Sequence, residues 1–219
     1  MYRRCNPESP VRFWIGAPLL KTTSRRCETK ELMTPKDKAA LTISELLKTG
    51  VIPTNNYLFE ITENHLDSFI RVYDTYSDGL RRTDKGDTAK SYRNRINYPF
   101  ARKMAGRDLV AFKLERGAKT NQCKEGFVYS IGNPAWPNHL KIGMSSNVEK
   151  RLAGYQTYSP LRDYYRVHYE FVLNKRQTEK DILTKFNHSI ESGEWLKDTS
   201  VESIIEYINK SIPRKPSWI

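Results

Sequence analysis

Gly126-Phe127-Val128-Tyr129-Ser130-Ile131, the turn-rich segment Gly132 to Asn138, and then His139-Leu140-Lys141-Ile142-Gly143 form the stretch that decides how this chain folds. Both runs are short, rich in β-branched and aromatic residues, and bounded by Gly, Pro and Asn, the pattern of two strands joined as an antiparallel hairpin. Downstream, Ser146 or Asn147 can cap a helix from Val148 to about Gln156. Tyr164 to Leu173 predicts a third strand, and Arg176 to about His188 another helix. A last helix, opened by Thr199 or Ser200, carries Val201, Ile204, Ile205 and Ile208. The element order β-β-α-β-α predicts an α+β fold with a small three-stranded antiparallel sheet flanked by helices.

Upstream of the hairpin the periodicity is helical. Thr34-Pro35 supplies an N-cap and a proline at the first helical position, and Ala39, Leu41, Ile43, Leu46 and Leu47 continue to a stop near Gly50. Leu66, Phe69, Ile70 and Tyr73 fall at i, i+3, i+4 and i+7, which predicts a second amphipathic helix that Gly79 ends. Residues 88–105 read as a basic helix kinked or split by Pro99, and Leu109 to Leu114 as a short strand. The expected organisation is an irregular arm over 1–33, with a short strand around Phe13 to Ile15, a mainly helical basic region over 34–118, the sheet domain over 119–212 and a tail over 213–219.

The chain of 219 residues has 37 Lys or Arg against 25 Asp or Glu, a formal charge of +12, so a polyanion is the natural partner. The excess is concentrated: residues 81–119 hold twelve basic and four acidic residues. Within it, Arg93, Arg95, Arg102, Lys103 and Arg107 are interleaved with Tyr92, Tyr98 and Phe100, a pattern suited to phosphate contacts and stacking on double-stranded DNA. A solvated charged helix face is the competing explanation. No apolar run approaches the roughly 20 residues a spanning helix needs, and no secretory leader opens the chain, so an intracellular protein without a membrane partner is expected. Cys5, Cys27 and Cys123 form no Cys-x-x-Cys pair, which argues against a zinc site or a disulfide framework.

The motif residues resemble a known family. Gly126-Phe127-Val128-Tyr129 looks like the first motif of the GIY-YIG endonucleases, and Lys141-Ile142-Gly143 like the second, in a phage-associated branch with lysine in place of the motif's first tyrosine. Arg151 follows on the next helix with Tyr155 one turn later, and Glu179 lies where the family carries its metal-binding glutamate. Gly193-Glu194-Trp195 resembles the closing motif of that branch. The resemblance covers about residues 124–212 and implies a metal-dependent DNA endonuclease akin to free-standing phage-encoded or homing enzymes, acting in a bacterial cytoplasm if phage-encoded.

The residue types suit that chemistry. Phosphodiester hydrolysis needs an oriented, deprotonated water, charge relief at phosphorus and a stabilised leaving oxygen. Glu179 is the expected ligand for Mg²⁺ or Mn²⁺, Arg151 the fork for a non-bridging oxygen, and Tyr129 the group that activates water. Lys141 is expected to lower the phenol's pKa by placing an ammonium beside it, and Tyr155 to position water or phosphate. Glu194 is a candidate second carboxylate or a structural element beside Trp195, and His168 a fallback acid or base. The alternative function is a catalytically inert nucleic-acid-binding protein on the same fold.

Overall fold

The structure is a computed structural model and describes residues 33–78 and 98–217. The expected N-terminal arm, Arg93 and Arg95 lie outside the described residues. Helix α1 (Pro35–Lys48) begins where the sequence places it: Thr34 Oγ1 accepts the Asp37 N–H at 3.2 Å while the Asp37 carboxylate accepts the Thr34 N–H at 3.1 Å, a reciprocal capping box. Helix α2 (Glu63–Asp78) buries Leu66, Phe69 and Ile70, the stripe its periodicity predicts.

One expectation fails in the next segment. Helix α3 (Tyr98–Glu115) runs through Leu109 to Leu114, which was expected to be a strand. Its buried positions Arg102, Ala105, Gly106, Leu109, Val110, Phe112 and Lys113 recur at three and four residues, so the local apolar alternation is part of a wide helical face. Pro99 sits in the first turn of this element, where its missing N–H costs nothing, and residues 88–97 of the expected basic helix lie outside the described residues.

The sheet follows. Strands β1 (Gly126–Gly132) and β2 (His139–Ser145) form the expected hairpin, with Tyr129 opposite Gly143 and Ile131 opposite Lys141. Asn147 caps helix α4 (Val148–Gln156) by accepting the Lys150 N–H at 2.8 Å. Strand β3 (Tyr165–Val172) returns antiparallel to β1. Helix α5 (Lys175–Lys185) ends earlier than expected, in a 3₁₀ turn over Asn187–Ser189. The sheet has five strands, not three: β4 (Ile190–Ser192) and β5 (Trp195–Lys197) extend it in the order β3-β1-β2-β5-β4. Each is three residues long, too short for alternation to show in the sequence, although Gly193 at φ 57° marks their turn. Helix α6 (Val201–Lys210), capped by Ser200, closes the fold.

The architecture is thus α+β, N-terminal helices followed by a five-stranded antiparallel sheet with interspersed helices. Alternation along the strands gives the sheet two buried faces. Phe127, Tyr129, Ile131 and Phe171 pack with α1, α2 and α3, whereas Val128, Leu140, Ile142, Val172 and Leu196 pack with Ile182 of α5 and Ile204 and Ile208 of α6. The helices before residue 118 and the sheet after it therefore share one core.

Two of the cations expected to contact DNA serve that packing. Arg102 is 2% exposed, grips the Glu63 carboxylate through Nε and Nη2, and donates from Nη1 to the Phe171 carbonyl. Lys103 pairs with Glu170 at 3.0 Å and donates to the Tyr169 carbonyl at 3.2 Å. Phe171 and Tyr169 are alternate residues on β3, the outer strand, so both cations satisfy an otherwise open edge. Arg107 alone of the described three remains half-exposed, beside Asp108 at 2.8 Å.

A second buried pair joins the helices to the first strand. Lys113 and Glu125 side chains are each 2% exposed and meet at 3.1 Å. Lys113 Nζ also donates to the Phe59 carbonyl and Glu125 Oε1 accepts the Ile61 N–H, so both charges are saturated. Lys113→Met would leave Glu125 buried with its charge unopposed, a loss of about 3–5 kcal/mol. Chemical denaturation should show that loss as a lower midpoint; a midpoint within error of wild type would mean the pair carries no such weight.

Candidate active site

The centre of the site is a place where β2 has no side chain. An ideal Cβ on Gly143 would lie 2.4 Å from the Tyr129 hydroxyl and 2.5 Å from its Cζ, so the ring crosses the hairpin directly over this glycine. Gly126 has a related constraint: its φ of 156° and the approach of the Ser145 carbonyl leave no room for a side chain at the start of β1. Two glycines of the recognised motifs are therefore explained by contact distance.

Tyr129 is 2% exposed, and its hydroxyl meets two groups from α4. Arg151 Nε donates to it at 3.3 Å, and the Tyr155 hydroxyl lies at 3.3 Å. The Arg151 guanidinium also lies over the Tyr155 ring, 5.2 Å from its centroid. Helical spacing of four residues is what brings both side chains to the same phenol. Burial and the Tyr155 hydrogen bond push the Tyr129 pKa well above that of a free phenol, and Arg151 offsets this only in part. The expected depression by Lys141 is not found.

Lys141 is engaged elsewhere. Its ammonium pairs with Glu194 at 2.7 Å and lies 5.6 Å from the Trp195 ring centroid. Register explains why: Lys141 stands opposite Trp195 on β5, while Tyr129 stands opposite Gly143 on the other side of β2. Glu194 also uses its backbone carbonyl, which accepts the Ile142 N–H at 3.0 Å.

Glu179 approaches the same strand edge from α5. It is half-buried, and the nearby Met144 backbone N–H favours the charged form of its carboxyl. Burial first, and the neighbouring Glu194 carboxylate second, raise its pKa, against Lys141 and Arg176. Past Lys141, β2 has no ladder partner on this side; the Glu194 carbonyl takes the Ile142 N–H, and Glu179 lies near the Met144 N–H. The carboxyl of Glu179 and the phenol of Tyr129 consequently meet β2 at the successive residues Met144 and Gly143. Among the described residues no hydrogen bond joins Glu179 to Tyr129 or Arg151, and no group of three His, Cys, Asp or Glu is placed to hold a metal. Glu179 and Glu194 remain as a carboxylate pair of hard oxygen donors whose mutual repulsion a divalent cation would relieve.

His168 does not join this cluster. It stands opposite Ser130, on the sheet face away from Tyr129, with Nε2 unpartnered and 3.6 Å from Glu170. Burial, and then Lys103, lower its pKa to about 4; Glu170 does not reverse this because Lys103 already neutralises it.

Two aromatic residues, Trp136 and Tyr164, join Trp195 in the surroundings without having been singled out from the sequence as site residues. Trp136 in the β1–β2 loop contacts Trp195 edge-on at 5.7 Å and Tyr164 at 6.4 Å, and Tyr164 in turn contacts Tyr155 at 5.6 Å. The available signal was Pro134-Ala135-Trp136-Pro137, an aromatic residue placed in a turn where it could not serve the strand core.

Residues 126–211 match the T5orf172 domain, a phage-derived domain family. The match spans β1 through α6 and contains every candidate catalytic residue, but it covers less than half of the chain. Comparison with curated proteins and with solved structures gives no match. No described helix is long and apolar enough to cross a membrane.

Gly143→Ala should displace the Tyr129 ring and break its hydrogen bonds to Arg151 and Tyr155; a crystal structure of the variant with the phenol unmoved would contradict this. For His168 the sign is fixed by its lowered pKa. Between the unfolded value near 6.5 and about 4, the unfolded chain binds more protons, so stability present at neutral pH is lost as pH falls through that window. The loss is of the order of 2–3 kcal/mol. His168→Phe should flatten the corresponding fall in Tm, and an unchanged pH dependence would assign the fall to other groups.

Proposed function

We propose that this chain is a metal-dependent endonuclease of the GIY-YIG type that hydrolyses phosphodiester bonds in DNA. The observation that carries the reading is the convergence on one strand, at Gly143 and Met144, of a phenol held by a guanidinium and a half-buried carboxyl. The phage-derived family of residues 126–211 supports it, as does the chain's positive charge.

In this reading Glu179 holds Mg²⁺ or Mn²⁺, with Glu194 next to it; the ion when bound supplies charge relief at the phosphate and lowers the pKa of nearby water. Arg151, exposed at the surface of α4, grips a non-bridging phosphate oxygen. Tyr129 is neutral at pH 7, so its role at rest is to orient water through its hydroxyl and not to remove a proton. Tyr155 shares that hydroxyl network and fixes its direction. Lys141 steadies Glu194, which keeps one carboxylate compensated and leaves Glu179 the more available of the two.

Supercoiled plasmid should be nicked or cut by the purified protein in Mg²⁺ or Mn²⁺ and left intact in EDTA. Glu179→Gln should reduce cleavage by at least about a hundredfold, the scale of removing one preorganised electrostatic group. DNA affinity should be nearly unchanged. Because burial disfavours the Glu179 charge, the neutral variant should also have a Tm at pH 7 equal to or above wild type. Undiminished cleavage by Glu179→Gln removes that residue from the mechanism.

The second reading is a catalytically inert DNA-binding protein, and the raised pKa of Tyr129 is the observation in its favour. It predicts salt-sensitive DNA binding with plasmid intact in both metals.

A further inference from the structure

Trp136 is 48% exposed, an unusual position for an indole that is not in a mobile setting. Its loop is fixed from several sides. Asn133 Oδ1 accepts the Ala135 N–H at 2.8 Å, the Asn133 carbonyl accepts the Trp136 N–H at 2.9 Å, and the Trp136 carbonyl accepts the His139 N–H at 3.0 Å. Asn133 Nδ2 donates to Asp163 at 2.9 Å, tying the loop to the α4–β3 connection, and the Asn138 carbonyl accepts the Asp198 N–H. Pro134 and Pro137 flank the indole and restrict the backbone further. Trp195 and Tyr164 support the ring at steep interplanar angles of 82° and 60°, leaving about half of the side chain open to solvent.

This indole closes a circuit of contacts around the candidate site. On one side it reaches Tyr164, Tyr155 and then the Tyr129 hydroxyl beside Arg151. On the other it reaches Trp195, Lys141 and then Glu194 beside Glu179. The ring-to-ring steps from Trp136 to Tyr155 are 6.4 and 5.6 Å. The Arg151 guanidinium lies a further 5.2 Å from the Tyr155 ring centroid, so at about 3.4 Å per nucleotide of strand the indole is within about five nucleotides of a phosphate held at Arg151.

We propose that Trp136 is a stacking platform for an unpaired nucleobase of the DNA strand whose phosphate Arg151 holds, a positioning residue that acts on the substrate beside the scissile bond. The inference rests on the endonuclease reading. A rigid, half-open aromatic face next to a cationic phosphate grip suits bases because every base has a π-face, and the loop's prior ordering removes the entropic cost of fixing the ring on binding. Substrate with a frayed or extruded base at this position would bind more tightly than fully paired duplex.

The test is binding in EDTA, where no cleavage occurs, of the full chain to a labelled thymidine oligonucleotide of about 20 nucleotides and to an equally charged oligomer of abasic residues. Trp136→Ala should weaken binding to the thymidine strand by about 5- to 150-fold and leave the abasic strand unaffected. Trp136→Phe, which keeps an aromatic face, should stay within about threefold of wild type, while Trp136→Leu should not. A structural role alone would lower affinity for both strands together, and that result, or no change with either, overturns the proposal. Plasmid cleavage by wild type separates the two readings: base-dependent binding without cleavage sinks the nuclease and keeps the platform, whereas cleavage with base-independent binding sinks only the platform.

Discussion

Glu125, the residue immediately before β1, has its carboxylate buried against Lys113 of α3 and the Ile61 N–H, and the placement of everything downstream depends on that anchorage. Its own backbone carbonyl accepts from Lys175 at 3.0 Å, and Lys175 opens α5, the helix that carries Glu179. Desolvation makes such a pair costly to form and more costly to break, so a shift of α3 on the sheet that separated Lys113 from Glu125 would leave two buried charges uncompensated. The start of β1, and with it the height of Tyr129 in the sheet, is set by this contact.

The basic residues divide into those that build the protein and those available to a polyanion. Arg102 and Lys103 lie in the densest basic stretch, yet both are consumed at the outer edge of β3, where they satisfy carbonyls and two glutamates. An unpaired edge invites association with another strand, and long cations folded over it prevent this. Net charge therefore does not say which cations are available at the surface; burial decides that. Arg151, outside that stretch, is exposed and adjacent to the candidate chemistry.

The site combines groups held in opposite electrostatic states. Tyr129 is kept protonated by burial, and Glu179 is burdened by burial and by Glu194. Each departure costs the folded state something and is maintained by surrounding contacts, the pattern expected where groups are positioned for use and not for stability. The aromatic residues Trp136, Tyr164 and Trp195 enclose these groups on the side away from α5.

Much of the fold was legible in the chain because its signals are local. Thr34 and Pro35, the stripe of Leu66, Phe69 and Ile70, the β hairpin and the caps Asn147 and Ser200 each act within a few residues, and each element formed where they point. Misreadings arose where a local pattern was ambiguous: alternation at Leu109 to Leu114 belonged to a helix with one wide buried face, and three-residue strands around Gly193 were too short to register. Residue types in the site were equally visible, as Tyr129, Arg151, Tyr155 and Glu179. Their electrostatic state was not. Whether Lys141 faces a phenol or a glutamate, whether Arg102 meets DNA or a carbonyl, and whether His168 shares a sheet face with Tyr129 are questions of register and burial. These depend on contacts between residues tens of positions apart, which sequence periodicity does not encode and only the packed structure decides.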